Sequence, residues 1–199
     1  RKYRPDIGLV SSETDMVVAG VFTKNECKAA PVLYCQDLLP SDKIRHIITN
    51  SGQANSATGA KGIEDNLNLI KHAATTFNCG PDQVVISSTG VIGVPLAMKK
   101  LKRGITELLD LKSRSANPFA LAIMTTDLIP KSVYKDIELS SGTVRLTGVC
   151  KGSGMIHPNM ATMLGYVFSD VVLTKEVAQE LVSEVADLSF NMISVDGET

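Results

Sequence analysis

Apolar positions in this chain come in short runs with two different periods. Six runs read as strands: Val17–Phe22, Arg45–Thr49, Gln83–Ser87, Ala120–Met124, Thr143–Val149 and Met163–Phe168. Most are bounded by Gly, Pro, Asn or Asp. Three stretches repeat at three-to-four spacing and read as helices. In Ile63–Phe77 one face carries Ile63, Leu67, Ile70, Ala73, Ala74 and Phe77. Asn78-Cys79-Gly80 then supplies a stop, with Gly80 available for a positive backbone angle. In Lys99–Leu109 the buried side carries Leu101, Ile105, Leu108 and Leu109. The third helix starts at Thr174 as N-cap, with Glu176 at the positive end of the helix dipole. Its apolar stripe runs through Val177, Leu181, Val182, Val185, Leu188 and Met192. Helices separated by strands predict a layered α/β architecture.

Composition narrows the function classes. The chain has 199 residues, 44% hydrophobic and 21% charged, with a formal net charge of -1. This is an ordinary globular balance, long enough for a sizeable core. It gives no electrostatic reason to expect nucleic acid or a membrane as partner, and no apolar run reaches the length of a membrane span. Arg1–Asp6 is polar, lacks an initiator Met and leads into no signal-like stretch, so the chain is expected to open inside something longer. Cys27, Cys35, Cys79 and Cys150 fit no zinc or redox spacing and are expected to be reduced thiols. His46, His72 and His157 are scattered, and no metal site is expected. Gly152-Ser153-Gly154 has the first two glycines of a dinucleotide fingerprint but has His157 where the third would stand.

Candidate chemistry gathers in a few segments. Lys151–Leu164, KGSGMIHPNMATML, combines a lysine, close-approach glycines and an Ala-Thr step before an apolar strand. A threonine there can act as a nucleophile if a nearby base takes its proton. Ser87–Gly93, SSTGVIG, follows a predicted strand and can present amides to an oxyanion. NSGQAN at Asn50–Asn55 and MTTD at Met124–Asp127 are further polar loops after predicted strands. Taken one at a time, each also fits a plain polar turn feeding a core strand.

Taken together, these segments resemble the ornithine acetyltransferases. VFTKN at Val21–Asn25, KAAPV at Lys28–Val32 and VDGET at Val195–Thr199 add to the match, with Glu198 a departure from a VDGDT-type pattern. The resemblance implies a layered two-sheet core with outer helices, shared with self-processing aminopeptidases of the DmpA type. It implies a precursor that cuts itself between Ala161 and Thr162, and Thr162 as the nucleophile of an acetyl transfer from N-acetylornithine to glutamate. Thr89 and Gly90 match the oxyanion-stabilising pair. Lys151 matches a substrate-pocket lysine, and Thr125 or Thr126 a substrate-contacting threonine. No cofactor is implied, although some members take acetyl from acetyl-CoA, and no residue here separates the two types.

The implied partners are a C-terminal β chain from the same precursor and a second αβ pair, with no nucleic acid or membrane. The implied place is the cytoplasm, or the mitochondrial matrix in a eukaryote. On this reading residues 1–199 form one incomplete catalytic domain, completed by chain beyond Thr199. Two other readings stand beside it: a self-processing aminopeptidase or amidohydrolase, and a non-enzymatic globular fragment.

Overall fold

The structure, a computed structural model, describes residues 4–111 and 113–199, so the first three residues of the polar opening lie outside it. The first sheet joins β1 (Ile7–Val18), β2 (Ser41–Gln53) and β3 (Val84–Val91) in that order. β1 and β2 are antiparallel, while β2 and β3 are parallel, with Thr49 opposite Ser87 and Gly52 opposite Gly90. The second sheet is antiparallel, ordered β4 (Lys131–Leu139), β5 (Gly142–Lys151) and β6 (Leu164–Ser169).

Strand alternation decides which layer meets which. Ile48, Val84 and Ile86 point to one side of the first sheet. There they pack with Leu69, Ile70, Ala73 and Ala74 of α2 (Gly59–Phe77) and Ile105 of α3 (Met98–Glu107). Ile47 and Val85 point to the other side, with Ile44 and with Cys35 from α1 (Ala30–Leu38). Tyr166 and Phe168 of β6 pack against this side and also against Phe119, Ala120 and Ile123. The Tyr166 hydroxyl lies 2.8 Å from Thr49 Oγ1, so a partly buried hydrogen bond pins the second sheet to the first. The molecule is therefore a two-sheet α/β core with helices, as expected from the sequence, although the helix that carries Phe119 and Ala120 packs against both sheets rather than outside them.

Several expectations need correction. Ala120–Met124 is not a strand: α4 covers Asn117–Ala122, with Pro118 in its first turn. A short apolar run has no period long enough to separate the two forms, and the Asn-Pro start decides for helix. The strand expected at Val17–Phe22 ends at Val18 and begins at Ile7, across a polar SSETD segment where the register shifts. α1 and β4 had no clear periodic signal. At the end of α2 the left-handed residue is Asn78 (φ 53°), not Gly80 (φ −75°), because asparagine tolerates this conformation. Leu109 lies past the end of α3 and is exposed, as are Ile63 and Leu67.

Thr174 does cap α5 (Lys175–Asp187), accepting from the Val177 amide. The helix stops at Asp187, and its stripe of Val177, Leu181, Val185 and Leu188 is exposed. All four cysteines are free, and burial pushes the Cys35 thiol up to about 12, which makes it a packing residue. His72 is structural, bonded through Nε2 to the Lys102 carbonyl. Among the described residues no helix is long and apolar enough to cross a membrane.

Candidate active site

The parallel strands β2 and β3 run further than their apolar cores suggest. Asn50–Gln53 and Ser88–Val91, expected as loops, continue the ladder. Polar side chains therefore stand in fixed register at the strand ends, where sites of α/β sheets commonly form. Ser88 Oγ donates to Asn50 Oδ1 at 2.6 Å, and Asn50 Nδ2 donates to the Gln53 carbonyl at 2.9 Å. Ser51 Oγ donates to the Ala122 carbonyl at 2.5 Å, tying β2 to α4. Gly90 has φ 126°, and a Cβ there would collide with the Gly52 carbonyl on the neighbouring strand. Only glycine keeps both the angle and the close approach.

From the second sheet, Lys151 reaches into this corner. It is buried at the end of β5, and its Nζ lies 3.4 Å from Thr89 Oγ1. The next residues fold back onto the MTTD turn. The Gly152 amide donates to Asp127 Oδ1 at 2.8 Å, and the Thr125 amide to Asp127 Oδ2 at 3.1 Å. Thr126 Oγ1 and Ser153 Oγ are 2.6 Å apart, while Arg4 Nη2 donates to the Met124 carbonyl. Thr126 thus lies against the Lys151–Gly154 turn, and Thr125 is joined to it through Asp127.

Asp127 has no assigned role in the sequence reading, although its MTTD segment is singled out there. Its side chain is fully enclosed and bonded to Lys131 Nζ at 2.5 Å. Burial raises its pKa, but the Lys131 bond and the amides of Gly152 and Thr125 outweigh that and hold it at about 2. An aspartate near 3.9 when unfolded and about 2 when folded adds stability above pH 4 and loses it as pH falls from 4 toward 2. The contribution is on the order of 1–2 kcal/mol, discounted for the partly exposed lysine partner. Asp127→Asn is therefore expected to lower the urea midpoint at pH 7, with the gap from wild type narrowing by pH 2.5. Equal gaps at both pH values would contradict this ionic clamp.

Thr162 stands two residues before Leu164, which pairs with Lys151. The nucleophile candidate thus connects to Thr89 through Lys151, across two strands. The approach to it is unusual backbone. Met155, Asn159, Met160 and Thr162 all have positive φ, with Thr162 at 58°. For a β-branched residue this conformation costs on the order of 1–3 kcal/mol and calls for surrounding support. That support is visible. Ala161 is buried, and its N–H and C=O bond the C=O and N–H of His157 at 3.3 and 3.4 Å. Ile156 and Val195 exchange backbone hydrogen bonds at 3.1 and 2.8 Å. The Met155 amide donates to Asp196 Oδ2 at 3.0 Å, and the Met160 amide to Asn191 Oδ1 at 2.9 Å. The VDGET segment, turn-like in sequence, is thus part of the cradle around the Ala161–Thr162 bond. His157 Nδ1 has Ser194 Oγ at 3.3 Å rather than a carboxylate. Among the described residues no group of His, Cys, Asp or Glu is arranged to hold a metal ion.

The family model described as the ArgJ family matches residues 1–199. The chain belongs to the ArgJ family. The arginine biosynthesis bifunctional protein ArgJ of Synechocystis sp. is 42% identical over 197 residues, covering 98% of this chain and 48% of that protein. The chain therefore spans about half the length of the curated relatives it matches. A crystal structure of arginine biosynthesis bifunctional protein ArgJ from Bacillus halodurans aligns with a TM-score of 0.74 at 37% identity, covering 81% of this chain and 85% of that one. The crystal structure of ornithine acetyltransferase complexed with ornithine from Mycobacterium tuberculosis aligns at 0.71 and 34% identity, covering 80% and 84%. The α/β layering of this ArgJ-family chain is thus that of solved ArgJ structures. Plant relatives, from Citrullus lanatus and Zea mays, are named chloroplastic.

Proposed function

We propose that this chain carries the nucleophilic half of a self-processing acetyltransferase that moves acetyl from N-acetylornithine to glutamate in arginine biosynthesis. The observation that carries the reading is the contact of Lys151 with Thr89. It links the segment containing Thr162 to the residues matched to the oxyanion pair. The family and the ornithine acetyltransferase structure complexed with ornithine supply the substrate class.

In self-processing, Thr162 Oγ1 attacks the Ala161 carbonyl carbon. The C–N bond breaks, the hydroxyl proton passes to the departing nitrogen, and water then hydrolyses the Ala161 ester. Ala161 leaves as a carboxylate, and Thr162 keeps a free amine beside its hydroxyl. In turnover that hydroxyl takes the acetyl group from N-acetylornithine, releasing ornithine, and passes it to the glutamate amine. The Gly90 backbone and the Thr89 hydroxyl face the negative charge that develops on each carbonyl oxygen. The Lys151 ammonium complements the carboxylate common to both amino acids, with Thr125 and Thr126 beside it. The remainder of the catalytic unit comes from the further length that the relatives possess, in an assembly of two αβ pairs. Acetyl-CoA serves as a second acetyl donor if the protein is bifunctional, as its relatives are named. A bacterial cytoplasm or a plant plastid is the compartment this reading favours.

The test is ornithine release from N-acetylornithine by the gene product that carries this chain. Release should accelerate when glutamate is added. Lys151→Met should raise the KM for glutamate about 10- to 100-fold, as loss of a charge-assisted hydrogen bond does. Hydrolysis of peptide amides with no glutamate dependence would instead indicate an aminopeptidase.

A further inference from the structure

Thr162 and Thr199 lie 37 positions apart, yet their Oγ1 atoms are 2.7 Å from each other. This is a full hydroxyl–hydroxyl hydrogen bond at the atom that must attack. Thr162 is exposed and in the left-handed conformation, which a β-branched residue holds only with support from its surroundings. A hydrogen-bond partner outside the strand can fix which rotamer its hydroxyl keeps. Thr199 is well placed to do so, because its own segment is anchored before it: Val195 on Ile156 and Asp196 on the Met155 amide. Asn191 holds the Met160 amide and is itself tied to Asp187 at the end of α5. Gly197, with φ 69°, supplies the turn that brings Thr199 back to Thr162.

We infer that Thr199 is a positioning residue whose hydroxyl fixes the rotamer of the Thr162 hydroxyl, for self-cleavage and for acetyl transfer alike. When the Thr162 hydroxyl donates to Thr199 Oγ1, its lone pairs stay free for attack and the proton is held away from the carbonyl. The inference rests on the reading of Thr162 as nucleophile. It adds a side chain that matters through its hydroxyl rather than through packing, since Thr199 is itself exposed.

The test compares Thr199→Val, which keeps the shape, with Thr199→Ser, which keeps the hydroxyl, in the gene product that carries this chain. Thr199→Val should lengthen the half-life of the uncut precursor about tenfold, the scale of one lost hydrogen bond. The cut fraction should lose a similar factor in kcat with KM for glutamate within about twofold, because substrate binding does not use this contact. Thr199→Ser should recover cleavage and kcat to within about threefold, and the melting temperatures of both variants should match wild type. Wild-type cleavage and kcat in Thr199→Val would overturn the inference, as would a serine variant as slow as valine. Thr162→Ala, run alongside, separates the two levels. If it still cuts, the nucleophile reading falls and this inference with it. If it stays intact while Thr199→Val behaves as wild type, only this inference falls.

Discussion

Thr162→Ala is expected to leave the precursor in one piece and to lower acetyl transfer by at least about four orders of magnitude. In the proposed mechanism one hydroxyl serves both reactions, so one deletion removes both. Ala161 is bonded to His157 through its own backbone, and the acidic groups at the loop, Asp127 and Asp196, are engaged with amides. Thr162→Ser should retain partial function, because the hydroxyl stays while the lost methyl loosens the rotamer. Denaturing gels and an ornithine-release assay on the same preparation check both effects. Separation of the two, with cleavage lost and transfer kept or the reverse, would mean that different groups carry them.

Gly90→Ala has the second large expected effect. The new methyl would meet the Gly52 carbonyl on the adjacent parallel strand, at a φ of 126° that side chains rarely adopt. Neither partner can yield cheaply, since both are main chain in register between β2 and β3. A loss of about 2–4 kcal/mol in stability follows from overpacking and backbone strain together. The fraction that still folds should lose about 100-fold or more in kcat, because the displaced strand end carries the proposed oxyanion donors. Urea unfolding and turnover numbers on purified protein would read both. A variant as stable and as active as wild type would remove Gly90 from the site.

Much of the frame was legible because the core obeys simple periods. The alternation of Ile47 with Ile48, and of Val84, Val85 and Ile86, announces buried strands, and the 3–4 spacing of Ile70, Ala73 and Ala74 announces α2. What escaped was set by longer-range effects. Ala120–Met124 is as apolar as a strand but is folded by Pro118 and by packing of Phe119 and Ile123 against Tyr166 and Phe168. The ends of β2 and β3 are largely polar, so they read as loops, and only their mutual pairing, from Asn50 with Ser88 to Gln53 with Val91, extends them. The apolar stripe on α5 has a clear period and yet stays exposed, since periodicity reports amphipathicity and not the presence of a partner surface.

The site divides the same way. The residue types of Thr89, Gly90, Lys151 and Thr162 were marked by resemblance, and the structure brings Lys151 to Thr89 and sets Thr162 two residues from its partner strand position. Asp127, Asn191 and Thr199 each make a contact 25 or more positions away in sequence, to Gly152, Met160 and Thr162, which no local pattern announces.

The most direct measurement of the central claim is to catch the acyl group. The gene product that carries this chain would be mixed with N-acetylornithine in the absence of glutamate, quenched in acid and mapped by mass spectrometry. A fragment beginning at Thr162 is expected to be one acetyl group heavier, with the label on the Thr162 hydroxyl as a hydroxylamine-labile ester that vanishes when glutamate is added before the quench. An acetyl group on another residue, or turnover by a chain still uncut between Ala161 and Thr162, would contradict the central claim.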